Sequence, residues 1–388
     1  MQSADRTPQS YAVGEQPRFI PTLEGLRAVA ALGIVVTHVS FQTGLDPAGN
    51  VGGVFARFDY FVALFFGLSA FLLWRRHRDD RSFTPYAVSR AGRILPAYLA
   101  CVVLTMLAVP EAYAPGGARA LATVTLTQLY LPDGLVLGLT HLWSLVVEVG
   151  FYAVLPLLAV TLGRLPRGWR LAGVVGLAAL SLGWAFLPFV AGTPAPGVPN
   201  RQIYPPAYAT WFAVGLLAAE LEGRVHWRPL RWRPLWWTAA LALAWLGSRP
   251  WFGPVGLQHP WPAAFARRIA VGAGFGACLL LPYAWAPGSR LLDHPALQAL
   301  GRWSYGIFLW HLPVLSLVFP VLGVRPFTGR FLLVLAVTLL VSVVVAAASY
   351  TLVERPAAAW LKAAYRRREA SAPKPSATAS GTKSASPA

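Results

Sequence analysis

Charged side chains are scarce in this sequence. They make up 12% of its 388 residues, where a soluble globular domain carries about 25%. A single large soluble core is therefore excluded. Acids are scarcer still, 15 against 33 lysines and arginines, for a net charge of +18. Only two cysteines are present, Cys101 and Cys278, both inside apolar runs. They offer neither a disulfide framework nor metal-ligand spacing and read as small core residues. Also missing are a Gly-rich phosphate loop, HExxH, GxSxG and any clustered metal ligands, so no metal is expected. Those absences argue against an ATP-driven pump, a metalloprotease and a serine hydrolase. No repeat of 20–50 residues is visible. No basic-aromatic module accompanies the positive charge, so nucleic acid is not an expected partner.

What is present is apolar. The chain is 56% hydrophobic with a mean hydropathy of +0.52. Apolar runs near 26–42, 58–74, 94–110, 142–162, 171–191, 204–222, 235–248, 264–285, 303–322 and 331–352 predict an all-α, polytopic transmembrane helical bundle of about ten spans. Membrane lipid is thus an expected partner. The 16 tryptophans and 33 prolines suit interfacial belts and short loops. About twenty polar or mixed residues precede the first run, which lacks a small-residue cleavage site and reads as a retained span.

The basic residues alternate by side. With the N-terminus inside, 24 lysines and arginines fall on inside segments and 8 on outside ones, with Arg27 left within the first span. That excess predicts both termini on the cytoplasmic face of the inner membrane. Three segments follow: a polar N-terminal stretch 1–18, a membrane domain 19–361, and a basic, Ser/Ala/Pro-rich tail 362–388 expected to be disordered. In the long outside connection 111–141, residues 118–131 are apolar enough for a re-entrant or interfacial helix.

Ionisable residues inside the spans carry the functional signal. Arg27 and His38 lie eleven residues apart on the first span, on nearly one face and ~16 Å apart along the axis. Arg27 reads either as a flank snorkelling to headgroups or as a ligand-facing cation. His38 reads as a packing contact or a functional imidazole. Arg90 and Arg93 share a helical face at the start of the third span, where two guanidiniums can grip a phosphorylated ligand. The positive-inside bias explains Arg75, Arg76 and Arg78 on the same loop, whereas Arg90 and Arg93 differ by opening the span on one face. His141-Leu-Trp143-Ser144 opens the fourth span, with Glu148 about two turns further in. Such a Glu must be paired, protonated or facing water. Tyr305 and His311 lie in Ser304-Tyr305…Trp310-His311-Leu-Pro313. Glu354, in Val353-Glu354-Arg355-Pro356, reads as a charged interface anchor closing the tenth span.

These stretches, in this order, resemble the acyltransferase family 3 membrane proteins over about residues 19–361. The Arg and His separated by ten residues match Arg27 and His38. The R-x-x-R before Ile-x-Pro matches Arg90, Arg93 and Pro96. The His-Leu-Trp-Ser stretch matches 141–152, and Ser-Tyr…Leu-Trp-His-x-Pro matches 304–313. Departures are Glu24 where Asp is usual, Ala70 where Gly is usual, and Val149 in place of a second acid, which leaves Glu148 alone. Many relatives add a C-terminal esterase-like domain. This sequence lacks one, so transfer is expected to finish in the membrane domain or with a partner.

The resemblance implies a membrane O-acyltransferase, of the class transferring groups other than amino-acyl groups. It would move an acetyl or other short acyl group from acyl-CoA, a co-substrate rather than a resident cofactor. The acceptor would be a hydroxyl on a cell-surface polysaccharide, a lipid-linked saccharide, peptidoglycan or a secondary metabolite such as an antibiotic. On this reading Arg27, Arg90 and Arg93 hold the donor's phosphates at the cytoplasmic end. His38 is the general base, and Glu148 orients it or binds acceptor hydroxyls. His141, Trp143, Ser144, Tyr305 and His311 line the acceptor cavity. Direct transfer and an acyl-histidine intermediate both remain open. The rival reading is a transporter or flippase for a lipid-linked sugar or small organic solute, which broken spans and buried ionisable groups also suit.

Overall fold

The computed structural model describes residues 19–80, 82–254 and 258–371. The polar stretch 1–18 and the tail beyond Ser371 lie outside the described residues. Among the described residues fourteen α-helices follow in chain order. The first seven are α1 (Pro21–Gln42), α2 (Asn50–Ala56), α3 (Phe61–His77), α4 (Thr84–Ala108), α5 (Gly117–Val124), α6 (Trp143–Thr161) and α7 (Arg167–Gly183). Then come α8 (Pro188–Ala191), α9 (Ala209–Glu220), α10 (Arg233–Gly247), α11 (Pro262–Trp285), α12 (Pro295–Val321), α13 (Phe331–Ser349) and α14 (Arg355–Ser371). The only extended pairing among the described residues is a bridge between Ala195 and Val198.

Among the described residues, eight helical stretches are long and apolar enough to cross a membrane. The other two expected spans correspond to α9 and α10, of 12 and 15 residues. At 1.5 Å per residue they reach only ~18 and ~22 Å, short of a ~30 Å hydrocarbon core. The multi-pass bundle thus holds, with eight full-length helices and two short ones. The apolar stretch expected at 118–131 yields the short helix α5.

Proline sets many starts. Pro21, Pro262 and Pro295 open α1, α11 and α12, where a missing N–H costs nothing. The end of the chain departs from expectation. Tyr350–Glu354 forms a π-turn that carries α13 directly into α14. Residues 362–371, expected in a disordered tail, are therefore helical. Their segment is rich in Ala and Arg, good helix formers, and α14 packs on α4.

The centre of the bundle is α1, α3 and α12. In the most apolar 18-residue window of 50–77, 72% of residues are buried, against 17% in that of 167–186, which marks α7 as peripheral. Two glycines bring backbones into contact. A Cβ at Gly301 would collide with the Glu24 carbonyl, so α12 lies directly on the start of α1. A Cβ at Gly215 would strike the Gly67 carbonyl, which seats α9 on α3.

Candidate active site

Three strands of sequence each supply two levels of one site. On α1 the levels are Arg27 and His38, ~16 Å apart. On α12 they are Tyr305 and His311, and on α6 with its preceding 3-10 turn (Thr140–Leu142) they are Glu148 and His141. Each of the latter pairs is six or seven residues apart, ~9–10 Å of helix rise. The result is an arginine pocket at one level and a histidine cluster at the other.

The pocket measures about 540 Å³ counting its open mouth, and Arg27, Arg93, Ser144, Glu148, Tyr152 and Tyr305 supply its polar wall. Glu148 is held firmly. Its Oε1 accepts from Ser69 Oγ at 2.5 Å and from the Tyr152 hydroxyl at 2.6 Å. The Tyr152 carbonyl accepts from the Tyr86 hydroxyl at 3.0 Å, tying α4 to α6. The Tyr305 hydroxyl donates to the Ile94 carbonyl at 2.9 Å, tying α12 to α4. Arg90 stands behind this wall with its guanidinium 6.0 Å from the Tyr152 ring centre. None of Arg27, Arg90 and Arg93 makes an ion pair with a carboxylate among the described residues. The Nε atoms of Arg27 and Arg90 are buried without a partner. Glu24 and Glu148 act on Arg27 through space, and Glu354 on Arg93, but no carboxylate among the described residues pairs with the three guanidiniums, so unused donors remain that suit an anionic ligand.

The histidine cluster is built by carbonyl groups. His38 Nδ1 lies 2.9 Å from the Ile34 carbonyl and 3.2 Å from His311 Nε2. His311 Nδ1 lies 2.7 Å from the Phe308 carbonyl and 3.2 Å from that of Ile307. A carbonyl only accepts, so both Nδ1 atoms carry hydrogen. In neutral rings both Nε2 atoms are then lone pairs. The His38 N–H accordingly donates to His311 Nε2, and His38 Nε2 is left without a protein partner among the described residues. His311 is fully buried and His141 nearly so, while His38 keeps partial exposure. His38 therefore presents a free lone pair on the one accessible ring of the three.

Pro313 explains how His141 is locked. Proline has no N–H, so the Leu309 carbonyl, four residues back, loses its helical donor. That carbonyl accepts from His141 Nε2 at 3.1 Å and from Cys101 Sγ at 3.3 Å. The His141 ring stands edge-on to His311, with centroids 4.8 Å apart. Phe308 separates the two levels, lining the pocket while its ring lies 5.2 Å from that of His141.

Most of the expected residues converge here. Arg27, Arg93, Ser144, Glu148 and Tyr305 line the pocket, Arg90 backs it, and His38, His141 and His311 form the cluster. Two expectations need correction. Glu148 does not orient His38, because the two turns from His141 carry the carboxylate to the arginine level, where Ser69 and Tyr152 hold it. Trp143 faces away, its ring packed 5.0 Å from Tyr208, since adjacent helical residues diverge by ~100°. Two residues enter the site unannounced, and a third is placed differently from expectation. Tyr152 stands four residues after Glu148, a spacing that does predict contact on one helix face. Ser69 comes from another helix and carries no such signal. Glu354, expected as an interface anchor, is buried in the π-turn against α4 with its Oε1 unpartnered.

A helical membrane bundle with a cationic pocket and an accessible imidazole on one helix has the parts of a membrane-embedded group-transfer enzyme. The chain belongs to acyltransferase family 3: the family profile, described as an acyltransferase domain, matches residues 20–347. It is similar to acyltransferase MdmB of Streptomyces mycarofaciens, at 28% identity over 92% of this chain and 95% of that one. It is also similar to the peptidoglycan O-acetyltransferase OatA of Listeria monocytogenes, at 25% identity over 87% of this chain. The O-acetyltransferase OatA of Staphylococcus aureus matches at 25% over 88%. The chain spans 56% and 57% of those two relatives' lengths. No solved structure matches. This multi-pass membrane protein is thus an acyltransferase, and the transporter reading gives way.

Proposed function

We propose that the protein transfers an acetyl or other short acyl group from acyl-CoA to a hydroxyl of a glycan, lipid-linked saccharide or secondary metabolite. One observation carries the reading: an unpaired arginine pocket and a free imidazole nitrogen occupy two levels of one helix, ~16 Å apart. That distance suits a donor whose charged phosphates and reactive thioester are joined by a long, flexible arm. Arg27, Arg90 and Arg93 bind the phosphates, and the arm passes Phe308 to bring the thioester to His38. The excess of basic residues on one set of loops supports donor entry from the cytoplasm.

His38 Nε2 takes the acceptor hydroxyl's proton as its oxygen attacks the thioester carbonyl carbon. The tetrahedral intermediate expels the thiolate as the C–S bond breaks, and the thiolate leaves with that proton. Ester and free CoA are the products. Ser144 and Glu148 stand where acceptor or donor hydroxyls pass. One relative is a peptidoglycan O-acetyltransferase, which supports a glycan among these acceptors.

The test is direct. Purified protein in detergent is given radiolabelled acetyl-CoA and a soluble muropeptide, and labelled ester is sought alongside thiol release. Ester formation that depends on His38 supports the reading. Intact acetyl-CoA, with neither ester nor thiol released, overturns it.

A further inference from the structure

We propose that His311 is the positioning residue for His38, doing with a neutral imidazole what a buried carboxylate does for many catalytic histidines. The inference rests on the reading of His38 as general base. Four pieces of geometry support it. His311 comes from a helix 273 residues away in sequence, yet its Nε2 meets His38 Nδ1 at 3.2 Å. Its own Nδ1–H is held by the Phe308 and Ile307 carbonyls, so its neutral form must present a lone pair at Nε2. The His38–His311 ring centroids are 4.9 Å apart and tilted by 52°, so the rings are not stacked face to face. His311 is wholly buried, with no exposed surface through which substrate can reach it.

The consequence follows from proton placement. Ile34 O and His311 Nε2 both accept from His38 Nδ1–H. Together they exclude the tautomer that would put hydrogen on Nε2, the nitrogen left free to take the acceptor's proton. Two acceptors on Nδ1–H also stabilise the imidazolium formed once Nε2 takes a proton. No carboxylate is bonded to His38 among the described residues, so the acceptors are neutral. A neutral partner keeps His38 a modest base, able to release its proton to a departing thiolate. His141, pinned to the Leu309 carbonyl, closes the far side of His311.

Paired substitutions at this position separate positioning from packing. His311→Leu fills the space and removes the acceptor. His311→Gln keeps a side-chain carbonyl able to accept from His38 Nδ1–H. Acyl transfer from acetyl-CoA to a soluble muropeptide is measured for both. Positioning predicts a fall in kcat of about 100-fold for Leu with donor KM unchanged, and recovery to within about tenfold of the parent for Gln. Simple packing predicts the reverse order, because Leu is content in an apolar site and Gln is not. Leu equal to or better than Gln overturns the proposal. So that folding failure cannot hide the answer, nitrogen NMR of the unmodified protein with labelled histidine reads the His38 tautomer directly. Hydrogen on Nδ1 supports the proposal, and hydrogen on Nε2 in the neutral ring overturns it. An unmodified protein with no acyl transfer but the Nδ1–H tautomer indicts the general-base reading and not the hydrogen bond.

Discussion

The arginine pocket and the histidine cluster use the same three strands of sequence and solve opposite problems. In the pocket, cations stand unpaired, two guanidinium Nε atoms have no partner, and the mouth is open. In the cluster, carbonyls of Ile34, Ile307, Phe308 and Leu309 fix which nitrogen of each ring carries hydrogen, leaving lone pairs at the partly exposed His38 Nε2 and at the buried His141 Nδ1. The first region keeps free donors for an anion, while the second uses its hydrogen bonds to leave one accessible lone pair, at His38 Nε2. The difference teaches that affinity and chemistry are separated along the helix axis. Substitutions at the two levels should therefore act on different kinetic constants.

The sharpest way to break this comparison is His38→Ala. It should lower kcat by about 10²–10⁴-fold, the usual span for a general base, with donor affinity intact by equilibrium binding of acetyl-CoA. Substantial residual kcat would merge the two regions into one binding site. Next in size is Arg93→Ala, which removes a charged donor from the pocket. About 1.5–3 kcal/mol for such a bond corresponds to roughly a 10–100-fold rise in donor KM, with kcat little moved. If kcat falls instead and KM holds, the pocket takes part in chemistry and the separation is wrong.

Much of this division could be read from residue spacing and much could not. The eleven-residue step from Arg27 to His38 fixes two levels on any helix, and the two-turn step from His141 to Glu148 fixes two more. Neither says that the levels match between helices, so Glu148 could be assigned to His38 from sequence when it belongs beside Arg27 and Arg93. His141 and His311 meet because Pro313 frees a carbonyl for His141 to bind. The proline was visible, but the recipient of its freed carbonyl is set by how α6 and α12 pack. Glu354 was hidden for a different reason: a π-turn has no sequence signature, and without it the residue reads as the end of a span. The sixth and seventh apolar runs, one interrupted by Gly and Pro and the other short already in the sequence, become α9 and α10; hydropathy finds such runs but not their helical length.

Glu148→Gln gives a smaller and more discriminating effect. The amide oxygen can still accept from Ser69 and Tyr152, so the wall stays in place while the pocket's own negative charge goes. Donor KM should fall by up to about threefold, the scale of a partly solvated charge interaction, and the gain should shrink in high salt. Steady-state kinetics at two ionic strengths checks it. A rise in donor KM would mean that the carboxylate contacts the donor and does not merely oppose it.

Pro313→Ala tests the cluster at its most indirect point. Alanine restores an N–H at the Leu309 carbonyl, which has two lone pairs and already serves His141 and Cys101. Three donors then compete for two places. The thiol is the weakest donor and should be displaced first, leaving His141 near its present position. Activity should fall by only about threefold, roughly 0.7 kcal/mol and less than one hydrogen bond's usual worth, while thermal stability rises because interior helical proline is costly. A loss as deep as that of His38→Ala would show that the bend itself, beyond the freed carbonyl, sets the distance between His311 and His38. The cluster would then depend on the curvature of α12, and its separation from the pocket below would be a property of that one helix.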